Sequence, residues 1–142
     1  MKKSVVASAR RTVVLDAGPL RAAIDRGDPD HAWAVRVLRR VPARFVTFEA
    51  AITEAQHGLE NHPVGVKALR RLIARTDVVS LVERIELVFD EAEQWAPRMD
   101  FADACAVVLA RSYEHSFVLT TDFRDFSTYR VPFASPEGAF YV

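Results

Sequence analysis

With 142 residues, half of them hydrophobic, and a net charge of zero, the chain has the length of one domain and a composition that excludes a disordered or fibrous polypeptide. At this length roughly 68–70% of the unfolded surface can be buried, so a substantial core is available. Lysine and arginine together number 19, matched by 19 aspartates and glutamates, so a nucleic-acid partner has to be met by local patches and not by an overall positive field.

The N-terminal stretch MKKSVVASARR carries the charge of a secretory leader but not its apolar centre, because Arg10 and Arg11 interrupt it. No apolar run reaches membrane-spanning length, so a cytoplasmic protein without a membrane partner is expected. Val13-Val14-Leu15 is a continuous apolar run that ends at Asp16, the pattern of a strand covered on both faces. Gly18-Pro19 breaks it, and helices are expected over 19–25 and 30–41, the second with Asp30 as N-cap. A second strand runs from Arg44 to Phe48, followed by an alanine-rich helix over 49–60 that stops at Asn61-His62-Pro63, and by another helix over 64–75. A third strand is expected from Asp77 to Val82, then helices over 84–96 and 100–114, then a fourth strand from Phe117 to Thr121. The tail reads as loop with a last strand near Phe140 to Val142, and SPEGAFYV has no account. Cys105, the single cysteine, excludes an internal disulfide and sits in an apolar run as a small buried hydrophobe.

Strands alternating with helices at these lengths imply an α/β fold, one domain over 1–142, with a central parallel sheet and helices on both faces. In such folds ligands sit at the carboxyl ends of the strands, and the helix N-termini lie at the same edge. Asp16 ends strand 1, Asp122 ends strand 4, and Asp100 and Asp103 open a helix. Glu54 lies in the helix after strand 2, where helical side chains lean back toward the N-terminus. Four segments thus deliver acids to one rim. Converging carboxylates repel, and a hard divalent cation such as Mg²⁺ resolves that conflict, polarises a phosphoryl oxygen and activates water, which suits phosphodiester hydrolysis.

Each acid alone has a structural reading beside the functional one. Asp16 serves equally well as a cap on the turn into Gly18-Pro19. Asp100 reads first as an N-cap, and Asp103 as a favoured first-turn acid whose helix face through Ala106, Val107 and Ala110 nevertheless looks buried. Glu54 has small neighbours in Ala50, Ala51 and Gly58, whereas Glu49 falls on another, solvent-facing side. Asp125 is assigned a turn or supporting role behind Asp122. The set carries the weight. His31, His57, His62 and His115 lack paired zinc-ligand spacing, His57 reads as a helix-surface histidine, and neither a phosphate-cradling glycine loop nor a GxSxG elbow is present.

The stretches LDAGPL with Asp16, TFEAAITEA with Glu54, MDFADACAVVLA with Asp103 and VLTTDFRDF with Asp122 span residues 12 to 126. In their order and spacing the chain resembles the PIN-domain ribonucleases, above all the VapC-type toxins of bacterial toxin–antitoxin pairs. The resemblance implies a three-layer α/β/α sandwich, a homodimer, Mg²⁺- or Mn²⁺-dependent endoribonuclease activity, and a small antitoxin whose tail occupies the active-site groove. It implies Asp16, Glu54, Asp103 and Asp122 as catalytic metal ligands, Asp100 as an extra acid, and Thr121 as a hydroxyl that orients a water or ligand. Apolar residues in helix 30–41 (Trp33, Val37, Leu38) and helix 64–75 (Val66, Leu69, Ile73) face either a second copy or the core. Arg21, Arg26, Arg111, Arg124 and Arg130 are candidate RNA contacts, with Arg124 foremost because it lies two residues from Asp122.

Three rivals fit less well. A receiver-like Mg-binding signalling domain needs an acid pair after strand 1 and an acid ending strand 3, where this chain has Ala17-Gly18 and an Asp77 that begins the strand. A haloacid-type phosphatase needs a second aspartate where Gly18 stands. A catalytically dead PIN-like module is disfavoured by retention of all four acids. Within the nuclease reading, a housekeeping RNA-processing enzyme is the alternative to a toxin.

Overall fold

A computed structural model describes residues 11–140. The basic N-terminal stretch up to Arg10, and residues 141–142 of the strand expected at the C-terminus, lie outside the described residues. In chain order the elements are β1 (Arg11–Leu15), α1 (Ala17–Ile24), α2 (His31–Arg40), β2 (Ala43–Thr47), α3 (Glu49–Leu59) and α4 (Pro63–Ala74). There follow β3 (Asp77–Val78), a 3₁₀ turn (Val82–Arg84), α5 (Ile85–Gln94), α6 (Phe101–Arg111), β4 (Ser116–Leu119), α7 (Phe123–Phe126), β5 (Phe133–Ser135) and β6 (Gly138–Phe140).

The strands form one sheet in the order β3-β2-β1-β4-β5-β6, flanked by helices as the α/β/α expectation required. β1 is central and parallel to both neighbours, with Val14 opposite Val46 of β2 and Val118 of β4. Central position explains its continuous apolarity: Val13, Val14 and Leu15 are all fully buried, one face after the other. The chain leaves β1 toward β2 on one side, and β4 inserts on the other. That reversal opens a crevice at the carboxyl ends of β1 and β4. α6 runs beneath it, packed against β1, β4 and α5, and is buried on nearly every side from Ala102 to Ala110. A helix apolar all round is a core helix. No helix among the described residues is long and apolar enough to cross a membrane.

Several boundaries differ from the sequence reading. The strand expected over 77–82 is confined to Asp77–Val78, both exposed at the sheet edge. Beyond one further bond from the Val79 N–H to Thr47 O, the chain turns inward to bury Leu81. An edge strand with a single neighbour has little to hold its register. The tail contains two strands where one was expected. β5 lies parallel to β4, and β6 returns antiparallel through Pro136-Glu137, so the sheet is mixed at this edge. The hairpin accounts for the segment SPEGAFYV as far as Phe140. Gly138 takes φ +138°, a conformation costly for any side chain, and the Ser135 hydroxyl both donates to Glu137 Oε2 at 2.6 Å and accepts the Glu137 N–H at 3.2 Å. Phe133 and Phe140 stack over this edge and Phe123 packs against both at a tilt, with ring centroids 5.0–6.1 Å apart. Asp30 stands at the start of α2 but makes no side-chain cap; the Asp28 carboxylate accepts the Asp30 N–H instead. Trp33, Val37, Leu38, Val66, Leu69 and Ile73 all pack against the core, so the apolarity of α2 and α4 is largely satisfied within the fold.

The burial of α6 has a measurable consequence. Leu109 is fully buried, and Leu109→Ala is expected to lower unfolding free energy by about 2–5 kcal/mol in urea titration. The same truncation at the 70% exposed Val82 should stay within about 0.5 kcal/mol.

Candidate active site

Asp16 is the first residue past β1, and its backbone N–H still donates to Leu119 O at 3.0 Å. The sheet ladder therefore fixes its Cα, and the side chain is only 8% exposed. Thr120, the first residue past β4, is fully buried. Its hydroxyl donates to Asp16 Oδ2 at 2.8 Å and accepts the Asp122 N–H at 3.0 Å. One side chain thus ties together two acids that lie 106 residues apart in the chain. Asp122 Oδ1 in turn accepts the Asp125 N–H at 3.0 Å, which caps the single-turn helix α7. Four residues are too few to show a period, so this helix leaves no mark in the sequence pattern.

Asp100 caps α6 as expected, its Oδ1 accepting the Asp103 N–H at 2.8 Å. It also borders the same cavity as the other acids, so the cap reading is only part of its role in the structure. Asp103, one turn in, accepts a hydrogen bond from the Tyr129 hydroxyl at 2.9 Å. Glu54 reaches the cavity from α3 and remains at its exposed rim.

The cavity has a volume of about 270 Å³. Asp16, Glu54, Asp100, Asp103, Asp122 and Asp125 line it together with Gly18, Arg21, Arg98 and Thr121. All four acids expected from the sequence are brought together, with Asp100, Thr121 and Asp125 beside them. Thr121 meets the cavity wall across Gly18: a Cβ at Gly18 would stand 2.0 Å from the Thr121 Oγ1. Gly18 lies in the first turn of α1 and does not end β1, and any larger residue there would displace Thr121.

Electrostatically the cavity is a concentration of like charge in poor solvent. Burial is the largest influence on Asp16 and raises its pKa to about 6, against the opposing hydrogen bond from Thr120. Burial, then Asp100 and Asp16, raise Asp103 to about 7. Glu54 and Asp122 are raised as well, again chiefly by burial, with Asp100 adding repulsion to both. The Tyr129 phenol is pushed up by burial and by Asp103, so it remains a donor. Among the described residues no three acid, histidine or cysteine side chains converge closely enough to enclose an ion as they stand. Mg²⁺ does not require such a cage. It keeps several waters and takes one or two carboxylates plus substrate phosphate, and an all-oxygen, mutually repelling donor set of this kind fits it.

Sequence reasoning missed Thr120, Tyr129 and Arg98. Thr120 is hidden by its neighbour: strand alternation cannot say which of two adjacent threonines at a strand end turns inward. Arg98 borders the cavity and pairs with Asp125 at 3.2 Å. Of the arginines expected at RNA, Arg21 borders the cavity, and Arg124 lines an open groove beside it with Asp122 and Asp125. Arg111 pairs with Glu91 elsewhere, Arg26 lies in a different cleft, and Arg130 is exposed in a left-handed turn, φ 57°. His57 is 80% exposed on α3, and Glu49 is exposed, as expected. Burial pushes the Cys105 thiol up to about 11, which leaves it protonated at neutral pH and unsuited to nucleophilic attack.

The raised carboxylates give a sign to pH dependence. A carboxyl whose pKa is higher folded than unfolded favours the native state below its unfolded value and loses that contribution as pH rises through the folded one. For Asp103 the window runs from the ordinary value of 3.8 to about 7. In metal-free protein, Asp103→Asn is expected to match wild type near the acid end of this window and to become progressively more heat-stable than wild type toward pH 7. Melting curves of the pair across this range check it; an Asn variant less stable at neutral pH would show that Asp103 is not crowded by like charge.

The chain matches the family model described as PIN domain over residues 13–132. No curated protein matches it. Among solved structures it superposes on Mycobacterium tuberculosis VapC20, described as a Sarcin-Ricin loop cleaving toxin, with a TM-score of 0.71 and 18% identity over 81% of this chain and 93% of that one. Identity at this level speaks for shared fold alone, but the family match runs from within β1 through β4 and α7, stopping short of β5 and β6, and takes in α6 and every acid of the cavity. The chain belongs to the PIN-domain family.

Proposed function

We propose that the protein is a Mg²⁺- or Mn²⁺-dependent endoribonuclease acting in the cytoplasm, and the toxin of a toxin–antitoxin pair. The observation that carries the reading is the convergence of Asp16, Glu54, Asp103 and Asp122 on one cavity at the switch point of a PIN-domain sheet. Asp16, Asp103, Asp122 and Glu54 hold the cation, with Asp100 adding charge beside them. Once bound, the cation polarises a phosphoryl oxygen and lowers the pKa of attacking water. Thr120 orients Asp16 and fixes the backbone of Asp122, so two ligands are set before any ion arrives. Thr121, with its hydroxyl on the cavity wall, orients water or a phosphate oxygen. Arg21, Arg98 and Arg124 stand around the opening, where guanidinium groups offset the repulsion between carboxylates and an RNA backbone.

Metal-stripped protein is expected to leave RNA intact, and Mg²⁺ or Mn²⁺ to restore cleavage. Asp16→Asn should lower the rate at saturating metal by more than the roughly 10–100-fold typical for loss of a group that merely supports a ligand. Undiminished cleavage in excess chelator would overturn the proposal.

A partner surface supports the toxin reading over a housekeeping enzyme. A cleft of about 700 Å³ between α1, α2 and α4 is walled by Arg26, Arg39, Arg71 and Arg75 over an apolar floor that includes Ile24 and Leu72. No acid lines it, and among the described residues none of the four arginines forms an ion pair. Such a cleft suits an acidic amphipathic segment of a small antitoxin. For a homodimer, the unsatisfied apolar surface lies elsewhere: the rings of Phe89 and Phe101 pack at a tilt 5.6 Å apart, about half exposed, and Val82, Ile85 and Phe101 line one shallow groove. Light scattering tests both surfaces. Wild type is expected at twice the chain mass and Phe89→Arg at the chain mass. Arg71→Glu should remain dimeric but fail to gain mass when mixed with the product of a short upstream gene; a variant that binds it normally would remove the cleft from the interface.

A further inference from the structure

We propose that Tyr129 is a positioning residue that holds the Asp103 carboxylate in the orientation in which it serves the cation, an inference that rests on the nuclease reading above. Tyr129 follows α7 and is fully buried. Its ring lies edge-on to Phe126 at 5.2 Å and against Trp95 at 6.1 Å. Trp95 is itself anchored, its indole N–H donating to Glu91 Oε2 at 2.8 Å, and the buried Glu91 pairs with Arg111 of α6. The ring therefore has no freedom to follow a moving partner. From this fixed position the hydroxyl donates to Asp103 Oδ2 at 2.9 Å.

Asp103 needs that restraint more than its neighbours do. Asp16 is held by Thr120 and by the sheet ladder, and Asp122 by the turn it caps. Asp103 accepts no other side-chain hydrogen bond among the described residues, and its bond to Asp100 involves only its backbone N–H. Oδ2 is occupied by the phenol, Oδ1 accepts no hydrogen bond among the described residues, and Asp103 borders the cavity. A carboxylate repelled by Asp100, Asp16 and Asp122 would otherwise swing toward solvent. A group that orients a ligand without touching the ion typically carries a roughly 10–100-fold effect on metal affinity or activity.

A purely structural role for Tyr129 makes a different forecast, because phenylalanine keeps the ring, its volume and both aromatic contacts. The experiment measures Mn²⁺ binding by electron paramagnetic resonance in the absence of RNA, together with the Mn²⁺ concentration dependence of RNA cleavage, for wild type, Tyr129→Phe, Asp103→Asn and the double variant. Tyr129→Phe is expected to bind Mn²⁺ roughly 10–100-fold more weakly and to need proportionally more Mn²⁺ for half-maximal cleavage. The rate at saturating metal should fall far less. In the Asp103→Asn background, loss of the hydroxyl should change Mn²⁺ affinity no further, since Tyr129 acts through Asp103. Wild-type Mn²⁺ affinity in Tyr129→Phe, or an equal loss in both backgrounds, overturns the inference and leaves the nuclease reading intact. A wild-type protein that neither binds Mn²⁺ nor cuts RNA overturns that reading, and the role of Tyr129 with it.

Discussion

The molecule is organised around mutual repulsion among carboxylates that the fold does not allow to separate. Asp16 is pinned by the β1–β4 ladder, Asp122 by Thr120 and its own turn, and Asp103 by a helix buried on nearly every side. None of their backbones can retreat without breaking hydrogen bonds or unpacking the core. The strain appears as protonation: burial and neighbouring charge hold Asp16 and Asp103 well above ordinary carboxylate values. The stability lost by crowding these acids is supplied by the apolar layers on either side of β1, and the sheet order places the crowding at the crevice where β1 and β4 part.

How far this was legible in the sequence follows from how local each signal is. Val13-Val14-Leu15 before Asp16 reads directly as a buried strand with an acid at its carboxyl end, because a short continuous apolar run closed by a turn signal suits a strand covered on both faces. α6 was equally readable, from its cap at Asp100 and its unbroken small and apolar residues. With the alternation of strands and helices, those features sufficed to put four acids at one rim. What escaped is non-local. β5 and β6 are three residues each, and what makes them strands is the vacant edge of β4 and the turn at Gly138. Tyr129 sits among residues of no regular pattern, and its hydroxyl acquires meaning only because Asp103, 26 positions earlier, comes within 2.9 Å. The shortening of β3 has the same origin, since an edge strand's length depends on what its single neighbour offers.

Zero net charge concealed a strong segregation of charge. Six acids face one small cavity, while four arginines without ion pairs among the described residues wall a separate cleft. Averaged over the chain these cancel; at the scale of a Debye length, about 8 Å at physiological salt, they do not. The partner each surface favours is therefore of opposite charge.

Segregation has a consequence for the order of events at the acid cavity. Without a cation the cavity is anionic, and a phosphodiester approaching it is repelled despite Arg21 and Arg98 at the rim, which are already paired with Asp28 and Asp125. Under the proposed reading, an RNA phosphate therefore binds better where a divalent ion already occupies the cavity. Binding free energies are reciprocal, so RNA must strengthen metal binding by the same factor by which metal strengthens RNA binding. The raised carboxylate values point the same way, because an ion that binds must displace protons, and metal affinity consequently rises with pH through the range in which Asp16 and Asp103 ionise. Under the same reading, metal and protons compete for one set of carboxylate oxygens, and a phosphate joins them only through the cation. The uncharged hydroxyls of Thr120 and Tyr129 hold that set in place without adding another charge to the cavity.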